Sequence, residues 1–225
     1  MTLSLLRNIH AAHSDFIEGK EKYGLESNLK ASLLSEKKIG LLGFGDLAKS
    51  LYPLLLPFTK DLNVYDPWIP RSKIKKLGFN SMSLNQMFKS CEIIYVLAAV
   101  TTKNKNLIDK KLLNKLKPNS LVILMSRAAV VNCKDLIKRV KKGDIFVATD
   151  VFPEEPVTKN DPIRKIKNIL FSAHRAGALE SAFFNMGNIV LKDMNLISKN
   201  LQPKFCKIAQ PKTVSLLASK PVAIN

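Results

Sequence analysis

One glycine turn constrains this chain more than any other feature. The run Lys37-Lys38-Ile39-Gly40-Leu41-Leu42-Gly43-Phe44-Gly45-Asp46-Leu47-Ala48 carries apolar residues into a glycine pair, and a helix-like stretch, Leu47 to Leu56, follows. A second apolar stretch, Leu62-Asn63-Val64-Tyr65, then ends at Asp66. The order is strand, tight turn, helix, strand, acid, which is the arrangement of a dinucleotide-binding βαβ unit. A glycine motif alone says little, because any tight strand-to-helix turn uses glycine. The strand, helix and acid placed around it make the signal much stronger.

Each position then has an expected task. Gly43 permits the turn, and Gly45 lets backbone N–H groups approach a pyrophosphate. The helix that begins near Asp46 and Leu47 offers its positive end to that anion. Ala48 takes the third glycine position, where helix and strand pack closely. Asp66 is expected to accept hydrogen bonds from an adenosine ribose. Asp46 is awkward, since its carboxylate falls beside the expected pyrophosphate; the other reading is that it caps the helix N-terminus.

Further along, apolar runs and helical stretches alternate. Strands are expected at Ile39–Gly43, Leu62–Asp66, Ile93–Ala98, Leu121–Met125, Ile145–Val151 and Ile169–Ser172, with a short one at Phe79–Met82. Helices are expected at Thr2–Phe16, from the turn to about Leu56 with interruptions at Pro53 and Pro57, at Ile74–Lys76, Leu84–Phe88 and Ile108–Leu116, at Lys134–Lys142 closed by Gly143, and from Ala178 to about Lys199. Fully apolar strands separated by helices imply a doubly wound parallel sheet covered on both faces, an α/β Rossmann-type fold. Ligands then bind beyond the carboxyl ends of the strands.

Composition narrows the function classes. The net charge of +18 invites a nucleic-acid reading, but the lysines are spread over most expected helices: Lys73, Lys75 and Lys76, then Lys110, Lys111 and Lys115, then Lys138, Lys141 and Lys142. No basic block is interleaved with aromatics, so nucleic acid is not the expected partner. No apolar run is long enough to cross a bilayer, and Met1 to Arg7 lacks the basic start of a signal peptide. A cytoplasmic protein is expected. Cys91, Cys133 and Cys206, odd in number and widely spaced, suit reduced and mostly buried thiols. His10 and His13 have no third ligand nearby, so a solvated helix face is expected there and no metal.

Chemically useful residues fall at the expected strand ends. Arg127 directly follows Leu121-Val122-Ile123-Leu124-Met125-Ser126, and a guanidinium there can grip a carboxylate through two parallel hydrogen bonds. Glu155 lies in Asp150-Val151-Phe152-Pro153-Glu154-Glu155-Pro156, and His174 in Ser172-Ala173-His174-Arg175-Ala176-Gly177. Singly, these read as a surface arginine, an acidic loop and a packed histidine. Jointly they suggest a catalytic set: a histidine that moves a proton, a carboxylate that orients it and favours its charged form, and an arginine that fixes an acid substrate.

These motifs resemble those of the D-isomer-specific 2-hydroxyacid dehydrogenase family, in its NAD-binding domain. The similarity runs from about Leu33 to Gly177. It takes in the glycine turn, Tyr65-Asp66-Pro67, Asn106-Leu107-Ile108-Asp109, Ser126 to Asn132, Thr149-Asp150-Val151-Phe152 with Glu155-Pro156, and His174-Arg175-Ala176-Gly177. The resemblance implies that Arg127 binds the substrate carboxylate, that His174 is the catalytic histidine and that Glu155 is its paired acid. It places Asp150 near the nicotinamide carboxamide, makes Asp66 the ribose acid and so implies NAD. It makes Gly43, Gly45, Asp46, Leu47, Ala98, Ala99, Arg127 and His174 cofactor-lining. Ala128 stands where the family has glycine, and Ala99 and Asn104 where it has proline and threonine.

The resemblance also divides the chain. Residues 1–35 resemble an interdomain helix and a dimerisation arm, 36–177 the NAD-binding domain, and 178–225 a long helix and tail. The main part of the family's substrate domain is largely absent from the sequence. The implied function is hydride transfer between NAD(H) and a 2-hydroxy or 2-keto acid in a homodimer. This chain alone is expected to bind NAD yet turn over poorly. The alternative is a non-catalytic NAD-binding regulatory or interaction protein.

Overall fold

A computed structural model describes residues 1–29, 31–177 and 179–209, together with Val214 and Leu216. In chain order the elements are α1 (Thr2–Leu6), α2 (Ile9–Ile17), α3 (Leu25–Asn28), β1 (Ile39–Leu42), α4 (Asp46–Leu55), β2 (Leu62–Tyr65), α5 (Arg71–Lys76), β3 (Asn80–Ser81), α6 (Leu84–Ser90), β4 (Ile93–Val96), α7 (Lys110–Leu113), β5 (Leu121–Leu124), α8 (Cys133–Val140), β6 (Phe146–Thr149), β7 (Ile169–Phe171) and α9 (Glu180–Ser198).

The seven strands form one sheet in the order β3-β2-β1-β4-β5-β6-β7, and every pairing is parallel. This is the expected doubly wound Rossmann-type sheet. The order reverses between β1 and β4, which opens a crevice beyond their carboxyl ends.

The sheet is covered on both faces because successive side chains of a strand point to opposite sides. Leu42, Ile94 and Val96 join one core with Met87 and Phe88 of α6, Leu113 of α7 and Val140 of α8. Ile39, Leu41, Ile93 and Tyr95 join the other with Ala48 and Leu55 of α4, Ile74 of α5 and Leu5 and Leu6 of α1. Ala48 is fully buried, as the close helix–strand contact requires.

Several expected elements differ. The single helix over Thr2–Phe16 is two helices, because Asn8 adopts a left-handed conformation (φ 52°) between them. The packed residues there are Leu5 and Leu6, while Leu3 and Ile9 are exposed. α4 continues through Pro53 to Leu55 and stops before Pro57. Ile108 is not helical; it bridges Val131 in parallel, and the Asp109 side chain caps α7 by accepting from Leu112 N at 3.0 Å. Ala178, the expected start of the long helix, lies outside the described residues, and so does most of the tail after Ala209.

Exposed apolar side chains are dense on two segments. On α2 and the arm after it these are Ile9, Phe16, Ile17, Tyr23 and Leu25. On α9 they include Phe183, Phe184, Leu191 and Ile197; its one buried residue is Asp193. Among the described residues, no helix is long and apolar enough to cross a membrane.

Candidate active site

The turn after β1 is built as glycine chemistry demands. Gly43 has φ +91°, and a Cβ there would lie 2.7 Å from the backbone of Ala98. Conformation and contact therefore both require glycine. Gly45 differs, because its φ of −82° suits any residue and a Cβ there would meet no atom within 4 Å. What glycine supplies at Gly45 is open space on the cleft side, where a bound phosphate can approach the backbone. The first N–H groups of α4 have no intrahelical acceptor and point to that space.

Asp66 lies at the end of β2 and ties this turn to the next loop. Its Oδ2 accepts Phe44 N–H at 2.8 Å, and its Oδ1 accepts Trp68 N–H at 2.8 Å. Each oxygen keeps a lone pair for a further donor, as ribose recognition needs. Asp46 does not cap α4: Gly45 is the N-cap, and the Asp46 carboxylate pairs with Lys207.

A cleft of about 900 Å³ opens above the β1/β4 crevice. Gly43, Gly45, Asp46, Leu47, Asp66, Ala98, Ala99 and Arg127 all line it. Asn104 knits its rim, donating from Nδ2 to Ala99 O at 2.7 Å and accepting Thr101 N–H at 2.7 Å. The departure from the family's threonine thus has a structural use. Trp68, with Lys103 Nζ 5.7 Å from its ring centre, stands on the same rim. Ser126 also lines this cleft, and its buried Oγ has no hydrogen-bond partner among the described residues.

Arg127 follows β5 and is exposed; its Nη1 donates to Ser126 O at 2.8 Å, leaving the other donors of its fork available. Asp150, Glu155 and His174 are not among the cleft-lining residues. They form a second cluster beyond β6, which pairs with β5, and β7, the next strand out, so that the β7 end lies roughly 10 Å from the β5 end by strand spacing. His174 Nδ1 lies 2.6 Å from Glu155 Oε2, and Glu155 Oε1 accepts Phe152 N–H at 2.8 Å. A carboxylate acceptor assigns the proton to Nδ1 and leaves Nε2 to exchange one.

Asp150 holds the histidine loop. Its carbonyl accepts His174 N–H at 2.9 Å, and its carboxylate accepts the N–H groups of Arg175 at 2.9 Å and Ala176 at 3.0 Å. Burial works to raise the Asp150 carboxyl. The Ser172 hydroxyl and the N–H groups of Ala176 and Arg175 outweigh it and hold the carboxyl below the ordinary aspartate range. These bonds fix His174 at φ +53°, a left-handed conformation that histidine tolerates better than most residues.

Of the cysteines, Cys91 is buried, Cys133 half-buried and Cys206 exposed, and all three are free. Burial pushes the Cys91 and Cys133 thiols up to about 11, which makes them poor nucleophiles.

A parallel sheet with a glycine turn, a ribose-type acid and an open crevice at the switch point defines a dinucleotide-binding protein. The family described as D-isomer specific 2-hydroxyacid dehydrogenase, NAD binding domain, matches residues 1–176, and the chain belongs to it. NAD is accordingly the cofactor, and the open space at Gly45 and the free capacity of Asp66 fit it. The chain is 25% identical over 199 residues to a D-3-phosphoglycerate dehydrogenase of Methanocaldococcus jannaschii, covering 88% of this chain and 37% of that protein. It is 29% identical over 171 residues to a glyoxylate reductase of Thermococcus litoralis, covering 76% of this chain and 51% of the relative. The crystal structure of a phosphoglycerate oxidoreductase from Rhizobium etli superposes with a TM-score of 0.84 at 40% identity, over 93% of this chain and 64% of that one. The chain thus spans only part of the length of these relatives.

Proposed function

We propose that this chain carries the cofactor half and the reacting groups of an NAD-dependent dehydrogenase acting on a 2-hydroxy or 2-keto acid. The observation that carries this reading is the 2.6 Å His174–Glu155 pair, two strands from Arg127 at the carboxyl edge of the sheet. When bound, NAD supplies the hydride donor or acceptor. Arg127 binds the substrate carboxylate with its free donors. His174 Nε2 gives a proton to the developing alkoxide in reduction, or takes one from the hydroxyl in oxidation. Glu155 fixes the ring orientation and stabilises the imidazolium. Asp150 holds the loop in register for that exchange, and Asp66 selects NAD.

Residues 1–35 are, on this reading, the interdomain helix and dimerisation arm, and 178–225 the long helix and tail. The exposed apolar side chains on α2, the arm and α9 support a homodimer. Leu5 and Leu6 of α1 lie in the chain's own core and take no part in that support.

Trp68 gives a direct test, because it is the chain's one tryptophan and it stands at the cleft. NADH should quench its emission and appear as sensitised nicotinamide emission; an unchanged spectrum at saturating NADH would refute the site. Turnover of a panel of small 2-keto acids then separates the dehydrogenase from a non-catalytic NAD-binding protein.

A further inference from the structure

Beyond α9 the chain turns back, and one buried acid makes it do so. Asp193 is 4% exposed on an otherwise exposed helix. Its carboxylate accepts the backbone N–H groups of Lys204 at 2.7 Å, Phe205 at 3.0 and 3.1 Å, and Cys206 at 2.6 Å. Burial works to raise this carboxyl, but the donors on Cys206, Lys204 and Phe205 outweigh it and bring its pKa down to about 2. The backbone at 204–206 is therefore anchored.

The next residue after the anchor is Lys207, and its ammonium meets the Asp46 carboxylate at the head of α4. The partners are 161 residues apart in sequence. Farther on, Leu216 O accepts Thr102 N–H at 3.0 Å, in the loop after β4. The tail thus touches both loops that flank the crevice, the one after β1 and the one after β4.

Asp46 presents a difficulty that Lys207 resolves. A carboxylate on the first residue of α4 faces the space where the helix would hold an anion, and unpaired it would repel a pyrophosphate. We propose that Lys207 is a cofactor-affinity residue: delivered by the Asp193 anchor, it neutralises Asp46 and so restores an anion-accepting turn at Gly43–Leu47. The inference rests on reading that turn as the pyrophosphate site. Masking by a tail-borne cation makes phosphate binding depend on a segment remote from the glycine motif. Lys49, on α4 itself, also acts on Asp46 through space, but it makes no hydrogen bond to it, whereas Lys207 does.

The test is calorimetric titration of the full chain with NAD and with adenosine, which lacks the phosphates, at low ionic strength. Lys207→Ala should weaken NAD about three- to fivefold and leave adenosine unchanged, in keeping with an exposed pair. Lys207→Arg should retain NAD affinity, and added salt should erase the difference. Asp46→Asn should bind NAD at least as well as the native chain, and adding Lys207→Ala to it should cost less than about twofold, since no carboxylate remains to mask. Asp193→Ala, which releases the anchor, should mimic Lys207→Ala. Native-like NAD binding by Lys207→Ala, or an equal loss with and without Asp46, overturns the proposal while leaving the pyrophosphate site standing. Equal affinity of the native chain for NAD and adenosine would instead remove the pyrophosphate site, and the proposal with it.

Discussion

His174 Nδ1 and Glu155 Oε2 are 2.6 Å apart, and the histidine that makes this contact has a positive φ of 53°. The two facts decide which variants are informative. His174→Ala would remove the imidazole and also strain the backbone. His174→Asn tolerates the left-handed conformation and isolates the chemistry. In the enzyme assembled with its substrate-binding part, His174→Asn should lower kcat by about 10²–10⁴-fold with little change in Tm. Glu155→Gln should lower kcat less, because the ring loses its orienting charge but keeps its proton-exchanging nitrogen. Unchanged kcat in both would remove the pair from the reaction.

Arg127 should behave differently from His174. It binds the carboxylate in ground and transition states alike, so Arg127→Ala should raise KM as well as lower kcat. Arg127→Lys should recover only part of the loss, because an ammonium cannot reproduce the bidentate grip. Steady-state kinetics with one 2-keto acid decides this; a KM equal to that of the native enzyme would count against carboxylate binding.

Asp66 should favour NAD over NADP by at least about tenfold, or about 1.4 kcal/mol. Its charge repels a 2′-phosphate, although Arg71 and Lys73 on α5 are near in sequence. Asp66→Ala should erase the preference. It should also lower Tm, because the N–H groups of Phe44 and Trp68 lose their acceptor. Parallel titrations with both cofactors provide the check.

Asp150→Asn should destabilise the histidine loop. One of the N–H groups of Arg175 and Ala176 would then face an amide NH₂ in a site that is 2% exposed. An unmet buried donor costs about 1–3 kcal/mol. The expected signature is a fall in kcat with retained NAD affinity, since Asp150 does not line the cofactor cleft.

Acid should release the tail through Asp193. Its folded pKa, about 2, lies below the unfolded value of about 3.9. Its contribution is therefore present above about pH 4 and is lost as pH falls through about 2. The protection of the Phe205 amide, relative to an unstructured chain at the same pH, should fall over that window in the native chain. In Asp193→Asn the exchange should already be fast at neutral pH.

The sheet was legible because its strands are buried on both faces and so read as unbroken apolar runs; Ile93–Val96 and Leu121–Leu124 are fully buried. The glycine turn was legible because Gly43 has no substitute at φ +91°. Helix boundaries depended on single residues that periodicity does not record. Asn8 breaks the first helix by adopting a left-handed conformation, and Ile108 gives up a helical position to bridge Val131. The pairing of Asp46 is not legible in the sequence, because its partner, Lys207, is remote and no local pattern announces it. Asp193 carried a weak signal, as a lone acid within the apolar run of α9. Asn104 was visible only as a departure from the family pattern, and its two 2.7 Å bonds explain what it does.

On the homodimer reading, the exposed apolar flank of α9 makes this fold's stability depend on concentration. Full burial of side chains such as Phe183, Phe184 or Leu191 is worth about 1.5–3 kcal/mol each. Whatever covers them adds that free energy to folding, so the unfolding midpoint should climb with the concentration of the covering molecule. On that reading, selection on these positions acts through the covering subunit. A change such as Phe184→Ser, silent in the isolated chain, becomes costly only once the flank is occupied.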